Sequence, residues 1–363
     1  MLKISDILKK AKRQEKAAEK AAADTAKRSL RPEAGANPPA EKIEVRQQMV
    51  PPVPGEPVKI QRQASPDPAV REIYEQGIVL ARRAMDPAEK NADFVLKTIR
   101  QNIEALIDSL LQDENQLLRL FLGEYFTEQG YIYQHSVNVA ILCARLGIAL
   151  HYSRARLQQL SLAAFLHDIG LAGYADIISQ PRRLNEAEYA EVKKHPLAAK
   201  EHLKYHMQEI DSVILEVVGQ EHERLDGSGY PYNLSGQDIN EYAKIIGLAD
   251  VYEAVLHKRP YREKMSCLEA VKHLLAIKSA FEYKFLKTLL DTVGVFPVMT
   301  MIKLSTRESG IVIQQNSQMP LRPVIEITHN TQGQTISEPK QLNLAANFSV
   351  YIQDCFGETS SKR

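Results

Sequence analysis

An all-α helical bundle with a small C-terminal β-appendage is the fold class this sequence predicts. Three observations predict it. Val95, Ile99, Ile103, Leu106, Ile107 and Leu110 recur at helical spacing, and helical patterning continues to about residue 292. Strand-like text is scarce before residue 295. Beyond it, short β-branched runs alternate with turn-rich stretches such as Asn330-Thr331-Gln332-Gly333.

Taken in order, residues 1–68 read as a disordered tail and linker. About the first 32 residues are rich in Lys, Arg, Glu and Ala. After Met1, Leu2, Ile4, Ile7 and Leu8 they lack apolar residues to bury, so tertiary packing cannot order them. Prolines dominate from Arg31 to Pro68, as in Pro38-Pro39 and Pro51-Pro52, which predicts an extended linker. Helical order is expected to begin near Asp67 to Ala69. Residues 69–130 read as an N-terminal helical segment. Its periodicity fits an intramolecular bundle and a homodimerisation element equally. Buried helices are expected over 135–150, 155–167, 186–206, 208–221, 241–256 and 266–292. Residues 295–363 read as a small β-rich extension built on Met301–Leu304, Gly310–Ile313 and Pro323–Ile327.

The bulk numbers exclude more than they assign. The chain has 363 residues, 44% of them apolar, enough for a sizeable core. A net charge of +1 gives no reason to expect a nucleic acid polymer or a membrane surface as partner. Cys143, Cys267 and Cys355 are far apart and form no CxxC pair, which fits a reducing compartment. No apolar run approaches the roughly 18 residues that span a bilayer, and no leader pattern follows Met1. The expectation is a soluble cytoplasmic protein without a membrane span.

The residues with chemistry gather in a few short segments. Hydrolysis by metal needs imidazole and carboxylate ligands delivered from several elements to one point. His135, His167, Asp168, His195, His222 and Asp250 are the candidates, all at positions read as helical. His167 and Asp168 are adjacent, so on a helix they would point about 100° apart. That suits one ion held by the His and a second shared through the two oxygens of the Asp. Asp250 interrupts the apolar run Gly247-Leu248-Ala249-Asp250-Val251, where an ionised carboxylate needs a partner. A cation would supply one; so would a backbone amide. His-Asp pairs also arise by chance, and Asp226-Gly227-Ser228-Gly229 alone is a turn. Co-occurrence in one order and spacing separates these alternatives. The pair His202 and His206 lacks a Glu after its first member and reads as non-ligating. His151, His257, His273 and His329 read as surface or polar-contact residues.

Residues about 100–345 resemble the HD-GYP domain, a branch of the HD phosphohydrolase superfamily. The resemblance runs through Tyr133-Gln134-His135, Phe165-Leu166-His167-Asp168-Ile169-Gly170, Lys194-His195-Pro196, and His222-Glu223-Arg224 with Gly229-Tyr230-Pro231. It continues in Ala249-Asp250-Val251-Tyr252-Glu253-Ala254, Arg259-Pro260-Tyr261-Arg262 and Val293-Gly294-Val295-Phe296-Pro297. It implies an HD-domain helical bundle with residues 131–294 as the catalytic domain, and hydrolysis of the second messenger cyclic di-GMP by a metal-activated water. It implies two divalent metal ions, iron or manganese, held by His135, His167, Asp168, His195, His222 and Asp250. Asp168 would bridge, with His167 beside it at the catalytic centre. Arg259 and Arg262 would take the substrate's phosphates and guanines, and Tyr230 would sit at the pocket rim in a loop that also serves signalling-protein partners.

Three departures from the family pattern matter. Leu171 stands where the family's His-Asp-Ile-Gly is followed by Lys, which removes a cation facing substrate phosphate. Losing one donor to a developing oxyanion commonly costs on the order of 10²–10³ in rate. Glu221 stands where many members have His, a harder oxygen ligand that would shift metal preference. Tyr131 stands where three-metal members carry Glu, so a third ion is not expected. A milder change is Glu253, where the family has Asp. The alternative to a working enzyme is a catalytically weakened module that binds cyclic di-GMP or partner proteins as a signalling effector.

Overall fold

A computed structural model of the chain describes residues 66–123, 130–259, 261–316 and 318–356. The expected tail and linker, residues 1–68, lies almost wholly outside them. Asp67 opens the first helix, α1 (Pro68–Ala84), by accepting the Ala69 N–H at 2.8 Å, with Pro68 in the first turn where it has no helical bond to lose. The second helix, α2 (Ala92–Leu122), bends at Asp113, whose φ of −153° leaves the helical region. Val95, Ile99, Ile103, Ile107 and Leu110 are buried along one face of α2, as their spacing predicts.

At the centre lies α3 (Tyr131–Ala149), buried almost all round from Gln134 to Gly147. Ser153 caps α4 (Arg154–Leu166), which packs against α3. A 3₁₀ stretch (Ile169–Tyr174) and one helical turn, α5 (Ala175–Ile178), follow. Among the described residues Arg154–Ile178 is the one run long and apolar enough to cross a membrane by length and composition. It is three successive elements, and 56% of its most apolar window is buried in the fold.

The expected helix over 186–206 is two helices, α6 (Glu186–Val192) and α7 (His195–His206). Pro196 explains the break, because proline is tolerated only in the first turn of a helix. The helix expected over 208–221 shrinks to α8 (Ser212–Val218), so Glu221 and His222 occupy the turn after it. Next comes α9 (Glu241–Leu256), buried along most of its length and carrying Asp250. The run expected over 266–292 divides into α10 (Cys267–Ala276) and α11 (Tyr283–Val293). The interruption frees the Ala280 carbonyl to accept the Leu225 N–H at 3.1 Å, tying it to the loop after His222.

The appendage is a five-stranded antiparallel sheet in the order β4-β3-β2-β1-β5. β1 (Met301–Leu304), β2 (Ser309–Gln314) and β3 (Val324–His329) coincide with the three expected runs. β4 (Thr335–Asn343) and β5 (Ile352–Phe356) were not expected. Both are edge strands. β4 is exposed along most of its length and contains Pro339, so it lacks the apolar alternation that marks a strand packed on a core.

Candidate metal centre

The candidate side chains reach the same point from several elements. His135 lies in α3, His195 at the first position of α7 and Asp250 in α9. His167 and Asp168 do not lie within a helix: α4 ends at Leu166, and Asp168 opens the 3₁₀ stretch. Turn geometry lets both neighbours face one site instead of diverging around a helix. Two glycines make the convergence sterically feasible. A Cβ on Gly170 would sit 2.1 Å from the His195 carbonyl, and one on Gly247 would sit 2.3 Å from the Glu221 carbonyl. Only glycine permits those backbones to pass so closely.

The rings are aimed by backbone carbonyls. His167 donates from Nδ1 to Ala164 O at 2.7 Å, and His195 donates from Nδ1 to Val192 O at 2.8 Å. Those bonds fix the tautomer and leave both Nε2 lone pairs free to ligate. Asp168 then stands between two imidazoles, Oδ2 3.3 Å from His135 Nε2 and Oδ1 3.3 Å from His195 Nε2. His135 Nε2 is also 3.2 Å from Asp250 Oδ1. His222 Nε2 approaches His195 Nε2 to 3.1 Å. Asp168, His195, Glu221 and His222 form one group able to hold a metal ion, and His135, His167 and Asp250 a second.

Glu221 is the most telling member. It is fully buried, and neither carboxylate oxygen has a hydrogen-bond partner, nor does His167 Nε2. Burial pushes its carboxyl above the usual range. The same burial, with the neighbouring His195 charge, pushes His222 down to about 3. Burial opposes protonation of His195 too, but Asp168 and Glu221 outweigh it and raise that ring to about 10. Such a divided set wants positive charge at its centre. The imidazole and carboxylate donors fit a divalent cation of borderline hardness, which would pair the orphaned oxygens.

A surrounding layer was less legible in the sequence. Glu253 is buried beside His135 Nδ1, accepts from Asn138 Nδ2 at 2.9 Å and from Arg259 Nη2 at 2.9 Å, and lies 3.0 Å from His257 Nδ1. Asn138 in turn accepts the Tyr74 hydroxyl at 2.8 Å, linking α1 to the centre. His257, expected at the surface or in a polar contact, is buried, with Nε2 2.8 Å from Phe121 O. Glu223 is buried and accepts the N–H groups of Tyr232 at 2.6 Å and Leu234 at 2.9 Å, shaping the Gly229-Tyr230-Pro231 loop. The available signal was an acid or amide one turn from a site residue inside an apolar helix, as Asn138 stands to His135 and Glu253 to Asp250.

An open cavity of about 220 Å³ lies over these donors, with His135, Asp168, His195, His222 and Asp250 in its lining. Tyr230 lines it and stacks on His222 with ring centres 4.7 Å apart. Leu171 and Arg259 also line it. Arg262 does not: its guanidinium turns back to the Ala254 carbonyl. Arg259 is held by Glu253 and by the face of Tyr131, 4.8 Å away. Tyr131 is itself pushed up to about 12 by burial and stays a neutral phenol.

The family model described as an HD domain matches residues 97–283, and one described as a KOW domain associated with HD domain matches 301–363. The chain is 27% identical over 241 residues to a cyclic di-GMP phosphodiesterase of Pseudomonas aeruginosa, covering 66% of this chain and 57% of that protein. It is 39% identical over 144 residues to the 3'3'-cGAMP-specific phosphodiesterase 1 of Vibrio cholerae, covering 39% and 32%. It therefore spans little more than half the length of the first relative and about a third of the second. Among solved structures, an HDG"Y"P protein from Bdellovibrio bacteriovorus shares the fold at a TM-score of 0.52 and 18% identity, covering 61% of this chain and 70% of that one. With its His-Asp and Gly-Tyr-Pro segments meeting at one cleft, this chain belongs to the HD domain family, as an HD-GYP protein.

Proposed function

We propose that this chain is a metal-dependent phosphodiesterase that opens the cyclic dinucleotide cyclic di-GMP. One observation carries the reading: seven His, Asp and Glu side chains converge beneath a cleft, and the buried Glu221 carboxylate there accepts no hydrogen bond, with His195 Nε2 at 3.4 Å and His167 Nε2 at 3.7 Å as its neighbours. The two donor groups would hold two divalent ions, iron or manganese; Asp168 sets one oxygen toward His135 and the other toward His195. When bound, such ions stabilise phosphoryl charge and activate water as a nucleophile.

The chain's own residues do the rest. Ala164 O and Val192 O hold His167 and His195 in the ligating tautomer. Glu253 fixes His135 and sets the guanidinium of Arg259 at the cavity wall, where its planar fork suits a phosphate oxygen pair. Tyr230 offers a ring wall for a base. Arg262 would have to release Ala254 O before touching substrate. The Gly-Tyr-Pro loop, with Tyr232 exposed, is the surface for a signalling partner.

Leu171 favours a second reading, a module that binds the dinucleotide and turns it over poorly. Protein purified without oxygen, loaded with Mn²⁺ or Fe²⁺, and incubated with cyclic di-GMP distinguishes the two. Linear product at confirmed metal occupancy supports the enzyme. Binding by calorimetry without product supports the module, and absence of both rejects cyclic di-GMP. Including 3'3'-cGAMP in parallel measures which base pair the cleft prefers.

A further inference from the structure

Cleaving a phosphodiester brings negative charge into the cavity, and its wall is poor in cations. Of the residues that line it, Arg259 alone carries a permanent positive charge, and Glu253 already pairs with it. Leu171 adds none. Arg224 acts on Tyr189 and Tyr230 but spends its guanidinium on the Glu221 and Glu223 carbonyls. Lys193, one residue beyond the end of α6, also lies against this wall.

Its ammonium lies 4.9 Å from the ring centre of Tyr189 and 5.2 Å from that of Tyr230, and both rings line the cavity. Tyr230 stacks in turn on His222, so the ammonium stands one ring beyond the candidate ligands. Burial raises both phenols, keeping the rings neutral, so they attract the cation through their faces and do not neutralise it. Among the described residues Lys193 makes no ion pair, whereas its neighbour Lys194 is bound to Glu191 at 2.6 Å. Lysine in this setting is a partly buried point charge, its ammonium beside two rings and its three N–H donors uncommitted.

We propose that Lys193, clamped between Tyr189 and Tyr230, is a substrate-binding residue that takes a phosphate oxygen of the cyclic dinucleotide, supplying charge that Leu171 does not. The assignment rests on the phosphodiesterase reading above and deepens it. Among the described residues Lys193 has no hydrogen bond or ion pair of its own to a candidate ligand, so its removal is expected to weaken substrate binding while leaving the ions in place.

The test compares metal-loaded full-length wild type with Lys193→Gln and Lys193→Arg. Calorimetric Kd for cyclic di-GMP, KM and kcat, metal content and thermal midpoint are read on each. Lys193→Gln is expected to raise Kd and KM about tenfold, the loss of one charge-assisted contact. Metal content and the thermal midpoint stay at wild-type values. Lys193→Arg, which keeps the charge, stays within about twofold. Raising salt weakens wild-type binding more steeply than that of Lys193→Gln. Unchanged Kd and KM in a folded Lys193→Gln overturn the assignment, as does an equal loss in Lys193→Arg with metal gone. If wild type neither binds nor cleaves cyclic di-GMP, it is the functional reading that fails, and this assignment with it.

Discussion

At the scale of the residue, Glu221 decides what the centre requires. A buried carboxylate with no donor is among the costliest groups a fold can hold, unless it is protonated or paired with a cation. Glu221→Gln keeps the shape and removes the charge. The metal-free variant should therefore unfold at a higher temperature than metal-free wild type at pH 8, where ionisation of Glu221 is penalised most. The loaded variant should lose affinity for the ion by more than the roughly 10–100-fold that outer-shell partners command. Calorimetric unfolding with and without Mn²⁺ checks both signs; a variant destabilised in both states would contradict the ligand role. The side chains at the centre were legible because family motifs carry them. Asn138 and Tyr74 were not, and Glu253 showed only as a departure from the motif, because their meaning lies in partners on other helices. Sequence spacing along α9 places Glu253 one turn from Asp250, but nothing along it says that Arg259 and His135 will both turn to meet it.

At the scale of the element, breaks between helices matter more than the helices. Periodicity read 186–206 and 266–292 as single helices because apolar spacing runs through both breaks. Pro196 and the backbone pairing of Ala280 interrupt them, and the first break places His195 at a helix start facing Asp168. Gly170 is the counterpart of that placement. Gly170→Ala forces a Cβ against the His195 carbonyl and the Ala199 N–H, both backbone atoms that cannot rotate away. The expected cost is about 1–3 kcal/mol of stability, in the range of overpacked cores, together with reduced metal content. Thermal unfolding and elemental analysis of the purified variant measure them. The short α6 between these parts is held by a capping box: Asn185 accepts the Glu188 N–H at 2.9 Å and Glu188 accepts the Asn185 N–H at 2.8 Å. Hydrogen bonds from Arg182, first, and then from the Asn185 N–H lower the Glu188 carboxyl to about 2. A carboxyl depressed on folding adds stability above its unfolded value near 4.5, and that contribution disappears as pH falls through about 2. Carboxyl NMR titration should place the Glu188 midpoint at that low value, and Arg182→Ala should move it back toward 4.5.

At the scale of the whole molecule, the helical body and the sheet were legible as classes, since their periodicities differ and change near residue 295. The connection of α1 to the centre was not. Residues 68–84 precede the matched HD domain, yet Tyr74 is buried and reaches Glu253 through Asn138. The ions should thus be felt far from their ligands, because α1, α3, α7 and α9 all contribute to one network that is electrostatically incomplete without them. Anything that binds the native state alone stabilises it by an amount set by its concentration over Kd, about 2.7 kcal/mol at a hundredfold excess. Chelation should lower the unfolding temperature of wild type, and Mn²⁺ should restore it. Hydrogen exchange should show the loss of protection reaching α1 around Tyr74, not only the loops at His167 and His222. Asp168→Asn, lacking the charge that faces both His135 and His195, should show little recovery with Mn²⁺. An unfolding temperature indifferent to chelator and metal alike would mean that the buried carboxylates are satisfied without an ion.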